Sequence, residues 1–344
     1  SELTVPQAAM LAGMVQSSEY LNPFTNKDEV LSRRNLVLQS MADSGSITQA
    51  EADKYAQQDL GVLDKPSLLP NGCISAKDRG FFCDYVIEYL EEKGISREQL
   101  ARGGYTIRTT LNPDVQDQAL NAVRSQTDPN TPGVAEVMNV VEPSKSNRPV
   151  LAMVSSRTYG LDLDKNETML PQPHSLVGNG AGSVFKVFTA AAALESGYGI
   201  KNQLDVPTHY EAEGLGSGGA VGCPPNRYCV ENAGNYAATM TMQDALAFSP
   251  NTTFIKLIEQ VGVEHVVDMS VKLGLRSYGE KGSYDKDTSI AQHIKESNLG
   301  SYTLGPTAVD PLELANVGAT LASEGMWCEP NPISKITDKD GNEV

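Results

Sequence analysis

A serine followed three residues later by a lysine can make a nucleophile, and residues 178–186 read Gly-Asn-Gly-Ala-Gly-Ser-Val-Phe-Lys. Ser183 opens a helical pattern, so its hydroxyl stands near the positive end of the helix dipole, beside backbone N–H groups that lack intrahelical partners. Lys186 lies one turn on, on the same face, within reach of that hydroxyl. An amine made less basic by apolar surroundings can take the serine proton, and the backbone N–H of Ser183 can help to hold an oxyanion. Ser-x-x-Lys alone is a weak signal, and the bland alternative is a helix N-cap with a solvated lysine. Two features favour chemistry. Glycines ahead of Ser183 let other backbone approach, and the helix behind it is uncharged, where a lysine is costly without a purpose. A second element, Ser249-Pro250-Asn251, lies between TMQDALAF and TTFIKLIEQ. The proline ends the first helix and fixes the turn, so Ser249 and Asn251 sit at a rigid corner able to face a cleft. A plain helix–turn–helix corner is the competing reading.

The elements that must position these groups follow from periodicity. Residues 1–63 read as helices, with the stripe Val30, Leu31, Val37, Leu38, Met41, a stop at Gly45 and a capping box of Thr48 with Glu51. Composition changes to Pro, Leu, Ser and Gly around Lys65 to Cys73, which suggests a linker over 64–131. That stretch holds a helix from Phe81 to Lys93, a strand at Tyr105–Leu111 and a helix capped by Asn112-Pro113. From about Pro132 a new unit is expected, 132–344. It opens with a hairpin of Val137–Glu142 and Val150–Ser155, followed by an apolar, Ala-rich helix over 183–196 that belongs in the middle of a domain. Helices near 241–248 and 252–261, one from Asp310-Pro311 to Gly325, and a strand Ile333–Thr337 before an Asp340-Gly341 turn complete the reading. Gly214–Gly219 reads as a mobile loop. The chain reads as beginning and ending inside a longer one.

Lys plus Arg number 27 against 43 Asp plus Glu, a formal charge of −16, which argues against nucleic-acid binding and against docking on a membrane through a basic patch. The most apolar run, Val187 to Leu194, is too short to span a bilayer, and the N-terminus lacks a signal-peptide pattern. Neither the five cysteines nor the four histidines show zinc-ligand spacing, so no metal and no cofactor is expected. Cys73 with Cys83 and Cys223 with Cys229 are spaced for small-loop disulfides, although reduced core thiols would fit the spacing too. The Gly/Pro-rich setting of the second pair favours disulfides and an oxidising, extracytoplasmic compartment. Cys328 is then odd.

Ser183-x-x-Lys186 followed by Ser249-x-Asn251, 66 residues later, is similar to the first two-thirds of the active-serine signature. The stretch Met240–Thr253 resembles the surroundings of the second motif in high-molecular-weight penicillin-binding proteins. Gly104–Gln116 resembles the segment linking their two catalytic domains. Leu3–Gly13 through Asn35 resembles the tail of their glycosyltransferase domain, and Thr307–Ala315 a helix ahead of their third motif. The chain is thus identified as similar to a class A, bifunctional penicillin-binding protein. The resemblance implies an α+β fold of the penicillin-binding-protein and serine β-lactamase type, with a central antiparallel sheet between helices and a helical glycosyltransferase remnant over 1–63.

The function implied is D,D-transpeptidation at the outer face of the bacterial membrane. Ser183 would be the nucleophile, Lys186 the general base and Ser249 a proton relay. Asn251 would hold the donor peptide and help to hold Lys186. The implied partners are peptidoglycan stem peptides ending in D-Ala-D-Ala and β-lactams bound covalently at Ser183, with any membrane contact through an N-terminal anchor. The third motif, Lys-Thr-Gly, is absent from the 344 residues, so a further segment or a second polypeptide is expected to carry it. The glycosyltransferase acidic residues lie upstream of this sequence in the family, so no such activity is assigned. A class A β-lactamase needs Glu-x-x-x-Asn downstream of Ser249, and the one here, Glu231 to Asn235, lies upstream. A β-lactam sensor and a non-catalytic cell-wall scaffold remain as alternatives. A Ser-His-Asp hydrolase lacks its Gly-x-Ser-x-Gly elbow, and a phosphate loop at Gly178–Gly182 lacks the residues that follow it.

Overall fold

The computed structural model describes residues 3–17, 20–63 and 72–344. The start of the expected linker, 64–71, lies outside them. The chain divides into two compact units, Ser1–Asn71 and Gly72–Val344. In the first, helices α1 (Val5–Met14), α2 (Lys27–Asp43) and α3 (Gln49–Ala56) bury Ala9, Met10, Val30, Leu38, Ala52 and Leu60. The Thr48/Glu51 capping box forms in both directions, and the helix before it ends as expected at Ser44-Gly45. The α2 stripe holds one surprise. Arg34 sits between Val30 and Leu38 on the buried line, and its guanidinium donates to the carbonyls of Ala56, Gln58 and Asp59, closing the end of α3.

The second unit runs α4 (Gly80–Glu92), α5 (Arg97–Arg102), β1 (Thr106–Thr109), α6 (Pro113–Gln126), β2 (Val137–Val141), β3 (Val150–Ser155), α7 (Lys186–Glu195), β4 (Gln203–Asp205), β5 (His209–Glu213), β6 (Gly218–Gly219), β7 (Arg227–Glu231), β8 (Thr239–Thr241), α8 (Met242–Phe248), α9 (Asn251–Val261), α10 (Val263–Leu273), α11 (Ile290–Glu296), α12 (Pro311–Ala322) and β9 (Ile333–Thr337). The architecture is α+β. β2 and β3 pair antiparallel with a register shift at Val140/Val141. Alternation along β3 sets Ala152 and Val154 against Ala119, Leu120 and Val123 of α6 and Met153 on the other face with Phe81, Phe82, Val86 and Leu312, and the register shift, which skips Leu151, turns Val150 onto the Met153 face as well. Among the described residues the expected sheet between helices is therefore this two-stranded one. β9 pairs with β1 across more than 220 residues of sequence, from Thr106↔Thr337 onward, and the Asp340-Gly341 turn folds the end of the chain back on β9.

The segment Gly214–Gly219 departs from the mobile-loop expectation. Gly218 and Gly219 form β6, parallel to β7 in the three-stranded sheet β5-β7-β6. A Cβ on Gly219 would overlap the carbonyl of Cys229, so a residue without a side chain is what permits the pairing. Both expected disulfides are present, Cys73–Cys83 and Cys223–Cys229, and Cys328 is free. No helix among the described residues is long and apolar enough to cross a membrane.

Candidate active site

The helix expected over 183–196 is split. A 3₁₀ turn, Gly182–Phe185, precedes α7, which starts at Lys186. The glycines explain the entry. The N–H of Gly182 donates to Gly305 O at 3.0 Å, and Gly180 bridges Ala308. A Cβ on Gly180 would overlap Gly305 O, and one on Gly305 would overlap Gly182 O. Gly182 (φ +59°) and Gly305 (φ +64°) take left-handed backbone that L side chains resist. Two backbone segments thus approach closer than any side chain would allow. Behind them Phe185, wholly buried, meets Phe188 and Tyr302 edge-on at 5.2 and 5.3 Å, which pins the turn to the core.

Ser183 is exposed on this turn, and Lys186 one turn later is only 1% exposed. The Lys186 ammonium donates to Ser249 O at 2.7 Å, Ser249 Oγ at 2.8 Å and Asn251 Oδ1 at 2.8 Å. These three bonds use all its protons and none goes to Ser183. The structure therefore brings Lys186, Ser249 and Asn251 into contact, with Ser183 exposed on the 3₁₀ turn that leads into Lys186. Nζ also lies 5.5 Å from the ring centroid of Phe254. Burial pushes the Lys186 amine down to about 8, and neutral oxygens around it supply no countercharge. That combination of a buried base and hydrogen-bond acceptors keeps both protonation states accessible near neutral pH.

The Ser249 corner is built to face this amine. α8 ends at Phe248, Ser249 adopts left-handed backbone (φ 62°, ψ 43°), and Pro250 starts the turn into α9. For a residue with a Cβ this conformation costs about 1–3 kcal/mol, and it turns both the carbonyl and the hydroxyl of Ser249 onto Lys186. Asn251 Nδ2 donates to Glu231 O at 3.2 Å, which leaves Oδ1 for the lysine. Pro250 provides no side-chain cap for α9. Asn232, just past β7, serves instead, accepting from Thr252 N at 3.1 Å while its own amide donates to Pro207 O.

Sequence reasoning missed Asn232, the Glu231 carbonyl and Phe254. Phe254 had a signal, since it lies three residues after Asn251 on the same helical face. The other two act across 20 residues of sequence, from the end of β7 onto the start of α9, and no local pattern announces them. Among the described residues His209, Glu211 and Cys229 cluster at metal-binding separation, but the Cys229 sulfur is held in the disulfide and offers no thiolate.

Residues 139–344 match the family model described as the penicillin binding protein transpeptidase domain, and residues 1–42 match the transglycosylase model. The chain is 28% identical over 351 residues to penicillin-binding protein 1F of Bacillus subtilis (strain 168), covering 100% of this chain and 42% of that protein. It is 25% identical over 345 residues to penicillin-binding protein 2D of the same organism, covering 99% and 44% respectively. The chain therefore spans less than half the length of these relatives. The penicillin-binding protein PonA1 of Mycobacterium tuberculosis superposes with a TM-score of 0.60 at 23% identity, covering 78% of this chain and 63% of that one. PonA1 in complex with penicillin V superposes with a TM-score of 0.58 at 22% identity, covering 78% and 65%. That likeness is one of fold.

Proposed function

The chain belongs to the penicillin-binding protein transpeptidase family, in the class A arrangement with a transglycosylase segment ahead of the transpeptidase domain, and from that premise we propose that it is a D,D-transpeptidase working through an acyl-enzyme on Ser183. The observation that carries this is the buried Lys186 amine, brought down to about 8 and held by Ser249 and Asn251 one turn behind an exposed serine hydroxyl. In its neutral form Nζ keeps two N–H groups and one lone pair. The two protons serve Ser249 O and Asn251 Oδ1, and the Ser249 hydroxyl turns from acceptor to donor toward the lone pair. A proton thus passes between Lys186 and Ser249 with no displacement of heavy atoms.

In the forward reaction the Ser249 hydroxyl turns away from Nζ, Ser183 Oγ attacks the carbonyl between the last two D-alanines of a stem peptide, and the Lys186 lone pair so freed takes the Ser183 hydroxyl proton. The resulting oxyanion is held in part by the Ser183 N–H. The amide bond breaks, and the leaving D-alanine amine receives its proton by way of Ser249. A second stem's amine then attacks the ester carbonyl, forms the new amide and gives its proton back through Lys186 to Ser183. A β-lactam amide acylates the same oxygen, in keeping with the penicillin V complex of PonA1. Residues 1–63 read as the helical end of a glycosyltransferase domain, 64–131 as the linker and 132–344 as the first part of the transpeptidase. The Lys-Thr-Gly element, which these 344 residues lack, is assigned to a further segment or a second polypeptide. Two disulfides favour the extracytoplasmic face of the cell membrane.

The test is labelling of the whole protein with a fluorescent penicillin, followed by mass spectrometry of the labelled peptide. Label is expected on the peptide containing Ser183 and is abolished by Ser183→Ala. Full labelling of that variant removes Ser183 as the nucleophile.

A further inference from the structure

The first turn of α9 carries Asn251, and it is tied down from outside its own helix. Pro250, the residue before it, has no side-chain acceptor to offer, so the N–H groups that open α9 must find partners elsewhere. Asn232, one residue past the end of β7, supplies one from 20 positions earlier in the sequence. Its Oδ1 accepts from Thr252 N at 3.1 Å, while its Nδ2 lies 3.0 Å from both Pro207 O and Thr252 Oγ1. The Thr252 hydroxyl donates in turn to Pro207 O at 2.7 Å. These partners fix which way the amide points, because a backbone N–H can only donate and a carbonyl can only accept. Both polar atoms of the Asn232 side chain are therefore engaged, and Thr252 is wholly buried.

Asn232 is one peptide bond from Glu231, whose carbonyl accepts from Asn251 Nδ2 at 3.2 Å. Adjacent residues at the strand end thus hold adjacent residues of the helix, Glu231 with Asn251 and Asn232 with Thr252. Two such bonds side by side fix the angle of the turn against the strand, where a single one would leave a pivot. The angle matters because Asn251 Oδ1 has to meet Lys186 Nζ at 2.8 Å. Thr253 Oγ1 also pegs the turn, to Asp205 O at 2.9 Å, but that bond leads to β4 and does not fix the end of β7.

Burial, rather than a charged neighbour, lowers the Lys186 amine. The ionisable side chains on the elements that meet this turn have partners of their own: Glu231 with His209, Asp205 with Lys256, Glu259 with Tyr210 and Asp244 with Thr241. A change at Asn232 therefore reaches the lysine by way of Asn251 and not through a freed charge.

We propose that Asn232 is a positioning residue for acylation: it locks the end of β7 to the first turn of α9 and so holds Asn251 Oδ1 on the lysine ammonium. The role rests on Lys186 being the base for Ser183.

The test is the rate of labelling of the whole protein by a fluorescent penicillin across pH, with the melting temperature read alongside. Asn232→Ala is expected to lower the lysine midpoint about half as far as Asn251→Ala does, because Glu231 O still meets Asn251 Nδ2. In an Asn251→Ala background the same change is expected to move the midpoint no further, since the group it acts through is gone. Asn232→Asp keeps the acceptor for Thr252 N and brings a negative charge that favours the ammonium form, so its midpoint is expected at or above the native one. Asn112→Ala removes a cap of the same type from α6 and is expected to lower melting while leaving the midpoint where it was. A native midpoint retained in Asn232→Ala, an equal further fall in the Asn251→Ala background, a fall in Asn232→Asp, or an equal fall in Asn112→Ala overturns the positioning role and leaves Lys186 as the base. A native profile without a midpoint overturns Lys186 as the base, and the positioning role falls with it.

Discussion

Replacing Asn251 by alanine isolates what the asparagine does for Lys186. The neutral amine is the active form, so acylation by a β-lactam should rise with pH through the lysine's midpoint, near 8 in the native protein. Asn251 Oδ1 accepts one of three ammonium protons at 2.8 Å. A hydrogen bond to a charged donor contributes about 1.5–3 kcal/mol, and about 1.4 kcal/mol corresponds to one pKa unit. Loss of that acceptor costs the ammonium form more than the neutral amine, whose bond to the same oxygen is weaker by about 1–1.5 kcal/mol, and so lowers the midpoint, by about one unit. The void left by alanine admits water, which restores part of the bond, so the shift should be no larger than that and bring the midpoint to about 7 at the lowest. The plateau rate should fall as well, by about tenfold, because the amine loses its orientation. The assay is the second-order rate of labelling by a fluorescent penicillin over roughly pH 6–9.5, for native protein and variant. An unchanged midpoint, or one moved to higher pH, refutes the argument, since it would mean that Asn251 does not stabilise the charged lysine. A flat native profile would refute the premise that Lys186 is the base.

Gly305→Ala should cost about 1–3 kcal/mol, because it adds a Cβ against Gly182 at a left-handed backbone position. It should also cut penicillin labelling sharply by displacing the turn that bears Ser183. Gly178→Ala, which meets nothing within 4 Å, is the control, and equal labelling of the two variants would remove the positioning role of the glycine contact. Replacing Cys223 and Cys229 together by alanine opens a loop of six-residue separation and should lower stability by about 2 kcal/mol in denaturant titrations; coincident transitions would contradict this. Glu313 is pushed up to about 7 by burial, against an ordinary 4.5. Its folded form holds extra protons, so the stability its neutral form contributes is present below about pH 4.5 and lost as pH rises through 7. Glu313→Gln should therefore match native melting near pH 4.5 and exceed it above pH 7, by about 1–2 kcal/mol after solvent screening. The same difference at both pH values would show that burial of the charge is not its source.

Local signals carried far along this chain. Thr48 with Glu51, and Asn112 with Pro113, start helices because each satisfies orphan N–H groups within three residues of itself, and both caps form as read. The hairpin of β2 and β3 followed from two apolar runs and the polar turn between them. The misread segment was Gly214–Gly219. Glycine richness looks like freedom in one dimension, yet here it lets β6 lie against Cys229 of a strand that begins eight residues later. Arg34 was hidden for the same reason, since its place on a buried stripe makes sense only once the carbonyls after α3 come round to meet it.

By itself the sequence determined the chemical types and their spacing: a serine one turn before a lysine, a Ser-Pro-Asn corner, and two cysteine pairs close enough to join. Those are properties of short stretches, where a turn's geometry follows from the residues within it. Only the tertiary structure decided that Lys186 is buried, that Ser249 and Asn251 take its protons, and that Glu231, Asn232 and Gly305 hold the parts in place. Burial and hydrogen-bond partners across 20 to 120 residues depend on where distant backbone arrives, and a lysine becomes a usable base only through that enclosure.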